Sequence, residues 1–279
     1  MLRPCRGIVC CLLLALVAGC SGTQFFYNRL DFLIPWYLSG YVDLDRSQRE
    51  FLEDRVDAFL GWHRRSELPR YAVLLARAEQ ALDSRVTADT VKSLALAAET
   101  EWYRMRDRAL DELIAVGDGL DERQVAGFIG TLRERQAEYE EEYLERDDEE
   151  YREEACDRLV DNLEDYLGRL RRESQRETCA MLEDLRRSDT VWLAERERWL
   201  DWLERVLQRR PGWQAELRGR VTDWESTVSP EYLSIYDHNT ALIYHAVASA
   251  VEARSERQDR HLRRKLAGLR EDVNELSAP

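Results

Sequence analysis

The sequence is short of everything that breaks helices or builds strands. Its 279 residues include only 13 glycines and 6 prolines, too few for the many tight turns of a sandwich or barrel. No stretch alternates valine, isoleucine and threonine with polar residues as a half-buried strand does. There are four histidines, and none forms an HExxH pair. CxxC, the GxSxG elbow and a glycine-rich phosphate loop are also missing, so no familiar catalytic residue set can be named. Carboxylate pairs occur throughout so acidic a chain and single out no acid/base site. The apolar run from Ile8 to Ala18 is too short to span a bilayer as a stable helix. Basic charge is scarce as well: 41 lysines and arginines stand against 55 acidic residues, a net charge of −14, which argues against nucleic acid as a partner.

The N-terminus supplies an address. Arg3 and Arg6 precede the apolar run as the n-region and h-region of an export signal. The stretch Leu16-Val17-Ala18-Gly19-Cys20 resembles the lipobox of bacterial lipoproteins. That resemblance implies that the Cys20 thiol is acylated and the chain cut before it. Ser21, where an aspartate would favour inner-membrane retention, implies the outer membrane. The other reading is an ordinary secretory signal in which Cys20 is one more small residue. The expected organisation is a lipoprotein signal over residues 1–19, a lipid-anchored tether over 20–24 and a helical periplasmic domain over 25–279. Losing residues 1–19 removes two arginines and no acid, which leaves −16. A chain so acidic is not drawn to anionic headgroups, so the lipid must do the anchoring.

The remaining cysteines reduce to a pair. Cys5, Cys10 and Cys11 leave with the signal and Cys20 carries lipid, so Cys156 and Cys179 meet an oxidising compartment. They fall on either side of a turn near Gly168. A helix starting only near Glu173 would leave them about six residues, roughly 9 Å, out of register. A disulfide and two buried free thiols both remain open.

Glu, Arg, Leu and Ala dominate, as in long helices, and the expected fold is all-α, an elongated array of long antiparallel helices and helical hairpins. Asp45-Arg46-Ser47-Gln48, Asp121-Glu122-Arg123-Gln124 and Ser255-Glu256-Arg257-Gln258 each set a capping oxygen three residues before a glutamine. Thr87 and Ser229-Pro230 mark further starts. One long helix is expected from about Glu122 to Leu167. In its middle, eleven of the seventeen residues from Glu138 to Glu154 are acidic. That run reads as a solvated helix, with a docking surface for a basic partner or a weak calcium site as the sharper readings. The aromatic segment from Phe25 to Tyr41, broken by Pro35, reads as docking into the core, with a membrane-interface belt as the alternative. Tryptophans at 192, 199 and 202 keep helical spacing and read as core.

Two polar groupings are candidates for a site. Glu231, His238, His245 and Glu252 recur every seven residues on nearly one helical face, about 10.5 Å apart in rise, so neighbours cannot chelate one ion. The denser grouping is Trp62, His63, Arg64, Glu67 and Tyr71, either a binding pocket or a rigid helix corner. Tyr27-Asn28-Arg29-Leu30-Asp31, Pro35-Trp36-Tyr37-Leu38, Trp62-His63-Arg64 and Ser66-Glu67-Leu68-Pro69 with Tyr71 resemble a family of proteobacterial outer-membrane lipoproteins without an assigned activity. The resemblance implies address and fold and brings no catalytic residue. A weaker likeness links the chain to periplasmic helical chaperones with Leu-Thr-x-x-Gln repeats, from which Leu44-Asp45 and Leu120-Asp121 depart. The expected function is therefore non-enzymatic binding or scaffolding at the outer membrane, with no cofactor, no catalytic residue and no metal. Its expected partners are the membrane, through Cys20, and an envelope protein. A chaperone or envelope-stress adaptor is the alternative, and a metal-dependent enzyme using His63 or His238 the more distant one.

Overall fold

Helices begin where the capping residues stand. The computed structural model describes residues 19–278, with side chains from residue 22 onward; the expected export signal up to residue 18 and the side chains of Cys20 and Ser21 lie outside the described residues. Asp45, Thr87, Asp121 and Ser255 each close a capping box, and Ser229 accepts from the Tyr232 amide with Pro230 in the first turn. Each box satisfies two amides that a bare helix end leaves without partners. The helices are α1 (Gly19–Tyr27), α2 (Leu30–Ser39), α3 (Arg46–Ser66), α4 (Leu68–Ala81), α5 (Ala88–Asp118), α6 (Glu122–Leu144), α7 (Asp148–Leu167), α8 (Arg172–Ala180), α9 (Asp189–Val206), α10 (Trp213–Thr222), α11 (Pro230–Glu252) and α12 (Glu256–Ser277), with a 3-10 turn at Trp224–Thr227. The described residues are all-α, without a strand.

Two local expectations are corrected. The helix expected from 122 to 167 is two helices. Asp147 leaves helical geometry (φ −87°, ψ −178°), and its carboxylate accepts the amides of Glu149 and Glu150 as a new N-cap. Four consecutive acids, Asp147 to Glu150, thereby meet the positive end of a helix dipole rather than one another along an unbroken helix. Proline 35 does not break α2, which runs through it. The hydrogen bond it forgoes would have gone to the carbonyl of exposed Asp31, which water can serve. Residues 20–24 are helical: Thr23 is buried, and Gln24 donates to Asp272 and Glu275 near the C-terminus.

The capping glutamines do more than cap. Gln48 and Gln124 each accept their own N-cap amide at 2.9 Å. Their Nε2 groups then cross over: Gln48 donates to Gln124 Oε1 at 2.9 Å and to the Gly119 carbonyl, and Gln124 donates to Gln48 Oε1 at 2.7 Å and to the Asp43 carbonyl. The starts of α3 and α6 are thus clasped side by side, with every amide donor engaged. Glutamate could cap as well as glutamine but could not cross over, because it has no N–H to give.

Apolar clusters fill the helix seams. Leu110 and Ile114 of α5, Ile129 and Leu132 of α6, and Trp199, Leu200 and Trp202 of α9 form one. Another joins Leu163 and Leu167 to Leu262 and Leu266. Ion pairs Asp83–Arg263 and Glu79–Arg270, with Ala72 meeting Val273, run α12 antiparallel along α4. At the α7–α8 turn, Gly168 takes φ +71°, which costs a residue with a Cβ about 1 kcal/mol or more. Its amide bonds to the Glu164 carbonyl, and the Glu164 carboxylate accepts from Leu170 and Gln175. Helix α8 opens at Arg172, within one residue of the start expected to leave a register gap, yet the Cys156 and Cys179 sulfurs meet with Cα atoms 5.1 Å apart, so the bridge forms in spite of that expectation.

We predict that Gln124→Glu costs about 2–3 kcal/mol, since buried acceptors would lose their donors. Gln258→Glu, whose amide reaches only the Arg169 carbonyl at 3.4 Å, should cost less than about 1 kcal/mol. Urea unfolding of the two variants checks the contrast, and equal losses would contradict the clasp.

Candidate functional site

The Trp62–Tyr71 grouping is built by the corner between α3 and α4. Pro69 cannot donate to the carbonyl of Arg65, so α3 ends and α4 starts on a new axis. Ser66 is the last residue of α3. The pivot is Glu67, whose amide closes α3 on the His63 carbonyl and whose own carbonyl accepts from Arg70 and Tyr71.

Glu67 has no exposure at all. Its carboxylate is held bidentately by Arg104 of α5, at 2.9 and 3.2 Å. Arg104 also lies 3.7 Å from Glu101, which Arg70 grips through two nitrogens. The corner is thus sewn to α5 by alternating charges. One turn earlier, His63 is 7% exposed. Its Nδ1 pairs with the Tyr27 hydroxyl at 2.7 Å and its Nε2 with the Tyr71 hydroxyl at 3.2 Å. Rings of Tyr27, Phe59, Trp62 and Tyr71 surround the imidazole, with centroids 5.4 to 6.3 Å away. Arg64 lies over the Tyr27 ring at 5.0 Å and donates to Asn28.

Burial sets the protonation states. It pushes the His63 pKa down to about 4, with the Glu67 charge pulling the other way and Arg64 adding a little. It also pushes Tyr27 up to about 12 against the opposing effect of Arg64. Tyr71 rises through burial and then through the charges of Glu67 and Glu101. At neutral pH the centre is a neutral imidazole between two neutral phenols. One ring nitrogen donates and the other accepts, so no lone pair is left for a metal and no free N–H for a substrate. This is the chemistry of a rivet. The surface nearby, lined by Arg77, Lys92, Leu96 and Glu101, is an open depression rather than an enclosed pocket.

The other groupings come apart. His238 meets the Asp184 carbonyl at 2.9 Å, and Glu252 accepts the Val86 amide at 2.9 Å. Among the described residues, no group of three or more His, Cys, Asp or Glu is placed to hold a metal ion. Within the acidic run, Arg146 is gripped by Asp189 at 2.7 and 3.0 Å and pairs with Glu154. It also lies between the rings of Tyr143 and Tyr151. Sequence reasoning missed Tyr27, Glu101 and Arg104. Tyr27 lay within a motif already singled out, whereas nothing local marks Arg104, which meets Glu67 from 37 residues away.

The segment from Phe25 to Tyr41 has two sides. Tyr27 is buried against Leu68, Ala72 and Leu276, and Leu30, Ile34 and Leu38 pack on α3. Phe25, Phe26, Phe32, Trp36 and Tyr37 are 55 to 66% exposed.

Residues 40–233 match a family of unknown function, DUF6279. The chain belongs to this family. No curated protein and no solved structure matches it. The DUF6279 region contains the corner, the glutamine clasp and both cysteines, while Tyr27, the outward aromatic face and α12 lie outside it.

Folding lowers the proton affinity of His63, so the unfolded chain binds more protons between its ordinary value of 6.5 and about 4. Its contribution is complete above about pH 6.5 and is lost as pH falls to about 4, a change of about 3 kcal/mol. In urea unfolding from pH 7.5 to 4, His63→Gln should remove this part of the slope, and identical slopes would contradict it. Arg104→Met should cost about 3 kcal/mol by leaving a buried carboxylate unpaired, and Glu67→Gln in the same background should recover part of that loss.

Proposed function

We propose that this chain is an outer-membrane lipoprotein, held by an acyl group on Cys20 and facing the periplasm, that works as a non-enzymatic binding or scaffolding module. The observation that carries the reading is the docking of α1. Thr23 is buried, and Gln24 is bonded to Asp272 and Glu275, so the folded body begins within three residues of the proposed lipid site. A soluble protein has no need to bring a signal-adjacent segment into its core. A lipoprotein with so short a lead holds its body flush against the bilayer and presents a fixed face to partners in the same plane.

The closed His63 cluster favours binding or scaffolding over catalysis, because its nitrogens and the Glu67 carboxylate are already engaged within the protein. The Cys156–Cys179 pair suits an oxidising periplasm. A framework of capped helices, a disulfide and buried ion pairs suits a part whose task is to hold a shape.

In a bacterial host that processes lipoproteins, the wild type should incorporate labelled palmitate and fractionate with the outer membrane. Cys20→Ala should lose the label and retain its signal, and Ser21→Asp should move toward the inner membrane. Unchanged outer-membrane fractionation of Cys20→Ala would overturn the anchor.

A further inference from the structure

The outward side of α1 and α2 is not explained by the fold. Its five rings are 55 to 66% exposed and together leave on the order of 600 Å² of aromatic surface in water. The spacing makes it a deliberate face: Phe32 and Trp36 are four residues apart on α2, while Leu30, Ile34 and Leu38 occupy the opposite, packed side.

Charge around this face departs from the rest of the chain. Between Gln24 and Val42 the charged residues are Arg29 and Asp31 alone, so the segment is locally neutral in a protein of net charge −14. Arg29 lies over the Phe25 ring at 5.2 Å, and Arg135 lies over Tyr41 at 4.5 Å. Tyr41 in turn pairs its hydroxyl with that of exposed Tyr37. Behind them Arg196 is 8% exposed, with its Nε unpartnered. Among the described residues none of these three arginines has a carboxylate partner. Burial pushes the Arg196 pKa down, with Tyr139 and Tyr41 pulling the other way and the neighbouring Arg135 charge adding a little. Exposed rings beside uncompensated guanidiniums match a layer that is apolar on one side and phosphate-bearing on the other.

Position selects the occupant. Cys20 lies on α1, and Phe25 is five residues past it, about 7.5 Å at the helical rise. An acyl chain on Cys20 and these rings must therefore meet the same layer. Resting on the lipoprotein reading above, we propose that the outward face of α1 and α2 sits in the interfacial region of the bilayer that holds Cys20. Its rings lie at the headgroup boundary and Arg29 and Arg135 lie at lipid phosphates. The single anchor thereby becomes a two-point attachment that fixes the tilt of the whole helical body. The acyl chain makes the second contact intramolecular, so weak insertion suffices.

The test uses the mature acylated protein in vesicles of phosphatidylethanolamine and phosphatidylglycerol. A nitroxide is attached at Phe32→Cys or, as control, at Glu256→Cys. Glu256 lies sixteen residues before Asp272 on α12, about 24 Å from the end that meets α1. The label at 32 should be at least about tenfold less accessible to a water-soluble nickel chelate than the label at 256, and more accessible to oxygen. Quenching by brominated lipid, lost in Trp36→Phe, should agree. Equal nickel accessibility at the two positions, without Trp36 quenching, would overturn the inference and leave the anchor standing. Spin–spin broadening at 32 that persists on dilution with lipid would assign the face to a second copy and overturn it too. Absence of an acyl group on Cys20 by intact mass would overturn the anchor and this inference together.

Discussion

A carboxylate with no exposure to solvent is the most demanding group among the described residues, and the arrangement of α1, α3, α4 and α5 is tied to meeting its demand. Glu67 occupies the one position where α3 must stop, because Pro69 two residues later cannot continue it. Turned inward there, its charge is tolerable only with a cation held in bidentate geometry. Arg104 supplies it from the middle of α5, and in doing so sets how α5 lies against the corner. The charge also reaches one turn back, where it works against the burial that keeps His63 neutral. Burial wins, and the neutral ring can accept from one phenol and donate to the other. Tyr27 is one of those phenols, so the placement of α1, and with it the approach to Cys20, hangs from a corner forty residues away in sequence.

A second point of fixation works by a different physics. At the paired starts of α3 and α6 no charge is buried; two amide side chains are used to full valence. Each glutamine completes its own capping box and spends its remaining donors on the neighbouring helix. A network of this kind contributes little if half made and much if complete, because every donor left over in a partly buried place costs desolvation. The corner and the clasp lie near opposite ends of α3, which is therefore held at both ends while its apolar stripe packs along the middle.

What could be read from the sequence was what is local. Capping boxes at Asp45, Asp121 and Ser255, the starts at Thr87 and Ser229-Pro230 and the burial of Trp199 and Trp202 follow from spacing within a single turn or stripe, and the all-α class follows from their sum. Asp147 was visible as a misfit in an apolar stripe, but its meaning as an N-cap needed the backbone to show that α6 had ended. The partners of the corner were not legible in principle. An arginine beside Met105 on a charged helix looks like any solvated arginine until the fold brings Glu67 against it. The same holds for the clasp: each glutamine announced a cap, and neither announced the other.

The aromatic segment shows why periodicity can fail where hydrophobicity is strongest. From Leu30 to Leu38 nearly every residue is apolar, so no polar face exists to reveal which side turns inward. Docking and exposure were posed as rivals, yet a helix has enough circumference for both. Leu30, Ile34 and Leu38 take the inner stripe, and the larger rings are left outside. Size argues in the same direction, since aliphatic side chains fill a narrow seam against α3 while aromatic rings with a polar edge tolerate a boundary between water and something less polar. The docked stripe also makes the outer one rigid. A face held by Tyr27 on His63 and by three aliphatic residues on α3 cannot swing away from the body, so whatever it contacts also orients α3, α4 and the clasp beyond them.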